Sequence, residues 1–507
     1  MASLNPLQGP LGKRLAAHLL RRATYSISPQ DIEAFANLSA TQAVDQLFQD
    51  QALFFPDGPE GWTVQGPAFS KTRYRIYQGQ LGVGGHNTFV SGWRYYEMIH
   101  SKNIRWKIVS WFSSLFVIAL RIPDIVVFQY WLMLSKMAFG DLQSLAEKVS
   151  FDSAMSHYLN NNINTKDAPN ENYAREFLEL FTILKGENIA LGNYTNYTEA
   201  DISEAAKVFS GFYFNGSANH AVDAETGIRR CFANINNHTP GDKVFSSAFQ
   251  NRTITGAANS ADMYREVKDF IQMVFDQEET ARAYIRKMYL FFVADKISEV
   301  AEQDIIRPLA SELKTNGYQH IPILKKLLMS EHFYDKDNAN AGDEIIGAKI
   351  KPVWEMMCQS VSIFDLENKS NGNNELLFYR DPYAFAKLAD DMGLPVAGPN
   401  SVEGFAGYYK SPDYSRNWLT NNVLYPRFSM ADVLLNGIVR NNPNRFPYQL
   451  DIVKWVKDTI DLPNGPGTPS VPIGAADAAR VVEMMMDYLL PERPTGDRYD
   501  FFMSRLL

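Results

Sequence analysis

The residues best suited to chemistry lie in one polar segment that is interleaved with aromatic side chains. Glu171, Arg175 and Glu179 are spaced four residues apart, and Asn172 and Glu176 have the same separation. On a helix these two sets form adjacent polar rows, because residues i and i+4 share a face. Such groups are costly to bury unless they bond to one another or to a ligand. The segment is therefore a candidate functional site.

Two interpretations of this segment remain open. In the first, Glu171, Glu176 or Glu179 acts as a general acid or base, since a positioned carboxylate can move protons. In the second, the side chains form a partly buried network that holds helices together. The members of that network are Asn170, Asn172 and Arg175, with the same glutamates.

A second candidate lies near the start of the chain, where His18 and Arg22 are four residues apart. On a helix they share a face, and together they could contact an anion or a carboxylate. The alternative is a structural pair that caps a neighbouring helix.

A third candidate is the short stretch that contains His238, Asp242 and Lys243. An imidazole, a carboxylate and an amine on one loop could perform acid–base chemistry, with His238 as a catalytic group. The alternative is a hydrophilic turn around Pro240-Gly241.

Familiar catalytic and cofactor motifs are missing from the chain. It contains no His-Glu-x-x-His, Gly-x-Ser-x-Gly, Walker or Rossmann glycine motif. The eight histidines form no pair at zinc-ligand spacing, and Cys231 and Cys358 are far apart. We therefore predict neither a metal site nor a bound cofactor.

Composition narrows the class of protein. The net charge is −8 with both signs scattered, which argues against a nucleic-acid-binding protein. The aromatic content of 13% indicates either ring-rich packing or rings in a cleft that could bind sugars, peptides or a partner. The first ten residues lack the apolar stretch of a signal peptide, so the sequence as written predicts a cytoplasmic protein or one whose export signal has been removed.

Two apolar runs, at residues 108–120 and 125–139, raise the question of a membrane protein. Each run is shorter than the roughly 20 residues that a membrane-spanning helix requires. We therefore predict a buried helical pair and no transmembrane span.

Helical patterns dominate the rest of the chain, and they predict an all-α protein with a large multi-helix core. Predicted helices include residues 103–120, 125–149 and 170–185, and Ser28 followed by Pro29 predicts a helix start. Irregular insertions, some with short strands, are expected at residues 51–105 and 212–258. We divide the chain into a helical core domain, residues 1–335, and a C-terminal helical part, residues 336–507, packed on the same core.

Several segments together resemble the bacterial domain-of-unknown-function family 1800. The resemblance covers most of the chain and is carried by residues 17–32, 170–182, 196–212, 279–293 and 327–335. It implies a largely helical fold, export in relatives, and a protein partner from a neighbouring family that is similar to alkaline phosphatases. It implies no established substrate.

The chain also departs from that family. Members carry a Trp-His-Asn-His-Phe motif, for which this chain has Trp-Phe-Ser-Ser-Leu at residues 111–115, and His238-Thr239 replaces a His-Asp pair. The resemblance thus favours a non-catalytic or weakly active binding or assembly component of an envelope-associated or secreted system. The alternative is a hydrolase that acts on a polysaccharide or peptide through glutamate, histidine and arginine side chains.

Overall fold

The computed structural model of the chain consists mainly of helices. It describes residues 1–50, 94–95, 97–119, 124–214, 221–337, 345–366, 388–389, 392–394, 398–399, 401–436, 450–460 and 478–506. Within these ranges, no helix is both long enough and apolar enough to cross a membrane.

Helices account for most of the described residues, as the all-α prediction requires, and that prediction is confirmed. The α-helices are Gly12–Ala23, Pro29–Ala36, Ala40–Leu47, Arg105–Leu115, Asp124–Lys136, Leu142–Ser150, Ser153–Tyr158, Asn172–Glu176, Glu199–Val208, Ser260–Phe275, Glu278–Phe292, Glu299–Ala301, Arg307–Thr315, His320–Met329, Val353–Ile363, Ala406–Tyr409, Asn421–Phe428, Met430–Asn436, Ile452–Ile460, Ala478–Leu489 and Asp497–Leu506. Two π-helical turns are Phe177–Phe181 and Glu302–Ile306.

Side-chain caps determine where several helices begin. The Ser28 hydroxyl accepts a hydrogen bond from the Asp31 N–H at 3.1 Å, and the Asp31 carboxylate accepts one from the Ser28 N–H at 2.9 Å. The same reciprocal pairing joins Thr198 and Asp201. Each pair satisfies two groups that would otherwise lack partners. The helix predicted after Ser28 is confirmed at Pro29–Ala36.

The continuous helix predicted over residues 125–149 was wrong, because the chain forms two helices there. Asp124–Lys136 is separated from Leu142–Ser150 by a short 3-10 turn and Gly140. The Asp141 carboxylate accepts a hydrogen bond from the Ser144 N–H at 2.7 Å and so begins the second helix. An acidic N-cap of this kind favours a new start over continuation.

Strands are confined to short antiparallel pairs. Three pairs lie within the predicted irregular region 212–258, which confirms short strands there, and one further pair precedes it. The pairs are Asn188–Ala190 with Asn193–Tyr194, Phe212–Tyr213 with Phe232–Ala233, Ala221–Val222 with Arg229–Arg230, and Lys243–Val244 with Thr253–Ile254.

The other predicted irregular region, residues 51–105, lies largely outside the described residues. Where it is described, residues 94–95 and 97–100 are helical, and Arg105 begins a helix. The helical part of the chain therefore resumes earlier than predicted.

One contiguous cluster of buried apolar side chains includes Leu19, Trp111, Phe177, Met357 and Tyr488, residues that span almost the whole sequence. The two apolar runs contribute to it, with Trp111 and Leu134 fully shielded from solvent. The boundary at residue 335 remains a prediction.

Candidate functional site

The polar segment forms a short helix with an unusual second half. We call residues Asn172–Phe181 the motif helix. It is α-helical to Glu176 and π-helical from Phe177 onward, so it ends earlier than the predicted residue 185. The Asn170 carboxamide oxygen accepts a hydrogen bond from the Asn172 N–H at 3.0 Å, which orders the entry to the helix.

The change of helix type alters the predicted row of charges. Arg175 lies 3.2 Å from Glu171, as the four-residue spacing predicts. Glu179 instead pairs with Lys185 at 2.7 Å. A π-helix makes i to i+5 hydrogen bonds, so residues four apart no longer align within it. Among the described ion pairs, the predicted row therefore contributes the Glu171–Arg175 pair but no pair between Arg175 and Glu179.

Arg175 makes its strongest contacts outside the motif helix. Its two terminal nitrogens donate to both carboxylate oxygens of Glu199 at 2.9 and 2.8 Å. The Tyr194 hydroxyl also donates to Glu199, at 3.1 Å. This two-pronged pairing ties the motif helix to Glu199–Val208. Because one third of the Arg175 side chain is exposed, the ion pair contributes at most about 1 kcal/mol to stability.

Glu176 differs from the other acidic residues of the motif helix. In the described part of the chain, no hydrogen bond or ion pair joins its carboxylate to another side chain. Burial, followed by repulsion from Glu179 and Glu403, raises the pKa of Glu176 to about 7. The positive charge of Arg175 lowers the same pKa. A carboxyl group that titrates near neutral pH can both donate and accept a proton.

Replacement of Glu179 with glutamine is expected to lower the pKa of Glu176, because it removes the nearest like charge. Arg175→Gln should raise that pKa, since it removes an opposite charge. Carbon-13 NMR titration of the glutamate carboxyls measures both shifts, and shifts of the same sign would contradict this electrostatic arrangement. Because folding raises this pKa, the group lowers stability progressively as pH rises from about 4.5 to about 7.

His238 belongs to a fully buried charged network. Its Nε2 lies 3.1 Å from the Glu266 carboxylate, and Lys243 Nζ lies 2.6 Å from the other oxygen of that carboxylate. His238 Nδ1 donates to the Ser210 carbonyl oxygen at 2.8 Å. All three charged or titratable side chains are shielded from solvent. The hydrophilic-turn interpretation is therefore wrong for His238 and Lys243, although Asp242 is exposed.

His18 and Arg22 make their contacts with a different part of the chain. His18 is buried and its Nε2 donates to the Phe333 carbonyl oxygen at 3.0 Å. Burial, reinforced by Arg22, lowers the pKa of His18 well below its ordinary value. Arg22 donates to the Ile345 carbonyl oxygen at 3.4 Å.

The predicted site residues thus form three separate sets. Glu171, Glu179 and Arg175 contact the neighbours of the motif helix, His238 contacts Glu266, and His18 contacts the turn at Phe333. The described hydrogen bonds and ion pairs connect no side chain of one set to a side chain of another.

A cleft with a cavity volume of about 60 Å³ is lined by residues from several segments between Tyr25 and Tyr408. We call it the aromatic cleft. Its lining comprises six aromatic residues, three serines, two charged residues and six others: Tyr25, Tyr130, Trp131, Trp354, Phe405 and Tyr408; Ser110, Ser113 and Ser114; Arg94 and Glu403; and Val117, Ile118, Leu394, Gly398, Pro399 and Gly404. This volume is well below the roughly 300–1,000 Å³ of a drug-sized ligand pocket, so only part of a larger ligand could enter the cleft.

Two features connect the aromatic cleft to the motif helix. The rings of Phe116 and Phe181 pack edge to face with centroids 5.5 Å apart. Phe116 directly precedes the cleft residues Val117 and Ile118 in the sequence. Glu403, on the cleft wall, is one of the carboxylates that raise the pKa of Glu176.

Glycine allows one wall of the cleft to come close to the other. Gly398 has φ +89°, and a Cβ added there would lie 2.8 Å from the Ile118 carbonyl oxygen. Gly404 has φ +97° and faces Val117. L-residues with side chains rarely adopt such backbone angles, so both positions require glycine.

The serines of the cleft present acceptor oxygens. The Ser113 hydroxyl donates to the Ser110 carbonyl oxygen at 2.8 Å, and the Ser114 hydroxyl donates to the Trp111 carbonyl oxygen at 2.7 Å. The Tyr25 hydroxyl donates to Ser110 Oγ at 2.7 Å. These donors are already used, so the remaining lone pairs can accept hydrogen bonds from a ligand.

Sequence reasoning did not identify the aromatic cleft. Its residues come from several segments between Tyr25 and Tyr408, and no periodic pattern connects them. The high aromatic content was the one signal, because it allowed for rings in a cleft. In the described ranges, no three histidine, cysteine, aspartate or glutamate residues form a group that could hold a metal ion.

Comparison with known protein families matches residues 18–505 to a family described as protein of unknown function (DUF1800). The chain belongs to this family. The matched range contains the motif helix and the aromatic cleft, so both are parts of the family domain. Neither the curated proteins nor the solved structures gave a match. The loss of the family's histidine motif at residues 111–115 remains a prediction.

Proposed function

We propose that the protein is a binding component of an envelope-associated or secreted system and that its ligand is a saccharide held in the aromatic cleft. The observation that carries the proposal is the cleft lining, which combines aromatic rings with hydroxyl and carboxylate acceptors. The envelope-associated or secreted location is inferred from the family resemblance, and so is a protein partner such as the alkaline-phosphatase-like neighbour.

The ring faces support a saccharide ligand. The faces of aromatic rings are electron-rich, and the C–H groups on one face of a sugar ring pack against them. Trp131 and Trp354 are mostly buried but still line the cleft, so a sugar could cover their exposed parts. Burial of that remaining apolar surface would stabilise the complex.

The polar groups support the same ligand class. Sugar hydroxyls need acceptors, and the cleft offers Ser113, Ser114 and the exposed carboxylate of Glu403. A few polar groups on a mostly apolar wall usually set the orientation of a bound ligand. The two serines occupy positions where the resemblance places an asparagine and a histidine, which is consistent with binding in place of catalysis.

Calorimetric titration of the full chain with tetragalacturonate, cellotetraose and chitotetraose tests this proposal. We expect at least one of these oligosaccharides to bind, and we expect Trp131→Ala to weaken that binding by about tenfold or more, as truncation of a buried aromatic contact often does.

Phe428→Ala is the matched control, because Phe428 is 72% exposed and does not line the cleft. The control should bind like the original protein. Binding that Trp131→Ala leaves unchanged in a folded variant, or no binding of any of the three oligosaccharides, would contradict the proposal.

A second candidate function is hydrolysis of a polysaccharide or peptide, and the pKa of Glu176 favours it. A carboxyl that is partly protonated at neutral pH is suited to general-acid catalysis, and Glu403 lies within electrostatic reach of it. Release of new reducing ends or amines, abolished by Glu176→Gln, would support the enzyme. Binding without product release would support the binding protein.

A further inference from the structure

Arg94 is the feature of the aromatic cleft that the proposed saccharide function leaves unexplained. The residue is 8% exposed and lines the cleft. Its guanidinium carbon lies 3.5 Å from the centroid of the Trp131 ring and 5.8 Å from that of Trp354. The cation is therefore held against the Trp131 ring at the wall of the aromatic cleft.

No counter-ion accompanies this cation in the described part of the chain. Its Nε has no hydrogen-bond partner there, and no carboxylate pairs with the guanidinium. Burial lowers the pKa of Arg94 to about 10, so the side chain stays positively charged at neutral pH. A buried charge without a partner is costly, and stacking on aromatic rings offsets only part of that cost.

Two buried lysines of the chain have carboxylate partners, whereas the buried Arg21 donates to the backbone carbonyl oxygens of Tyr488 and Leu490. Lys107 lies 2.6 Å from Glu355, and Lys243 lies 2.6 Å from Glu266, with both lysines almost fully shielded. Arg94 differs from these two lysines in lining an open cleft, where a partner can come from solution.

The stacked arrangement also defines what the partner must be. The Trp131 ring lies against the guanidinium, so the N–H groups that point away from this ring remain available for hydrogen bonds. A carboxylate, phosphate or sulfate group can accept two such bonds at once. Glu403, at another point of the lining, repels anions and accepts hydrogen bonds from hydroxyl groups.

We propose that the aromatic cleft binds an acidic saccharide whose anionic group is paired with Arg94 and whose hydroxyl groups face Glu403 and the serines. This inference rests on the proposed saccharide function and adds the charge of the ligand. Arg94 is then the residue that selects acidic sugars over neutral ones.

Calorimetry with three probes of equal length tests the inference: tetragalacturonate, its full methyl ester, and a sulfated galactan tetrasaccharide. The methyl ester keeps the sugar rings and removes the charge. We expect the original protein to bind an acidic probe about tenfold or more tightly than the ester, in line with charge-assisted hydrogen bonding. The carboxylated and sulfated probes distinguish the two sources of the anionic group.

The variant Arg94→Gln should weaken binding of the acidic probe by a larger factor than binding of the ester, so that the preference for the acid is lost. Arg94→Lys should retain part of the preference. The comparison of the acidic probe with the ester on the original protein needs no variant. It therefore tests the preference for acidic sugars even if Arg94→Gln fails to fold.

The outcomes separate the two proposals. Equal binding of acid and ester would overturn the role of Arg94 while leaving a saccharide site in place. Absence of binding by all three probes would overturn the inference about acidic saccharides, and the saccharide site as well if cellotetraose and chitotetraose also fail to bind.

Discussion

Replacement of Glu266 with alanine is expected to lower the free energy of unfolding by about 3–5 kcal/mol, because it leaves the buried Lys243 ammonium without its carboxylate partner. Glu266 is fully buried between Lys243 and His238, and it also accepts a hydrogen bond from the Ala257 N–H at 2.7 Å. Urea unfolding followed by tryptophan fluorescence measures the change through the midpoint and slope of the transition.

Two further variants show whether the loss comes from the unpaired charge. The double variant Lys243→Met with Glu266→Met should be considerably more stable than Glu266→Ala, since replacement of both partners by apolar groups is often nearly neutral. Glu199→Ala, which breaks the exposed pair with Arg175, should cost at most about 1 kcal/mol. Similar losses for Glu199→Ala and Glu266→Ala would contradict the assignment of Glu266 to a buried network.

Replacement of Glu355 with glutamine is expected to destabilise the protein by a similar amount, about 3–5 kcal/mol. Glu355 lies 2.6 Å from the buried Lys107. Burial lowers the pKa of Lys349 and Lys351 to about 7, and Glu355 is the foremost carboxylate that opposes this shift at both lysines. Burial also lowers the pKa of Arg22, and Glu355 is again the foremost carboxylate that opposes this shift. One carboxylate therefore compensates the buried Lys107 and several half-buried cations.

The matched control is Lys107→Met, which removes one cation and leaves Glu355 facing the others. We expect this variant to be destabilised less than Glu355→Gln, although both changes break the same 2.6 Å contact. The comparison uses the same urea measurement. A larger loss for Lys107→Met would show that the pair itself, and not the surplus of positive charge, determines stability here.

Local parts of the fold could be predicted because they depend on neighbouring residues. The cap at Ser28 and the helical pairing of Glu171 with Arg175 need only a spacing of three or four residues. The change to a π-helix at Phe177 could not be predicted from that spacing, because a four-residue spacing indicates an α-helix throughout.

Long-range parts of the candidate site could not be predicted for a different reason. His238 was identified as a candidate, but its partner Glu266 lies on a helix 28 residues later, and no local pattern joins the two. Arg94 and Trp131 meet only after the chain folds. A single sequence records which side chains are available, whereas the contacts among them depend on how helices pack.

The most direct test of the saccharide site is a crystal structure of the full chain with tetragalacturonate. The account predicts density for the oligosaccharide in the aromatic cleft, with a sugar ring against Trp131 or Trp354 and a carboxylate within hydrogen-bond distance of Arg94. Density for the ligand elsewhere on the protein, with the cleft empty at saturating concentration, would contradict it.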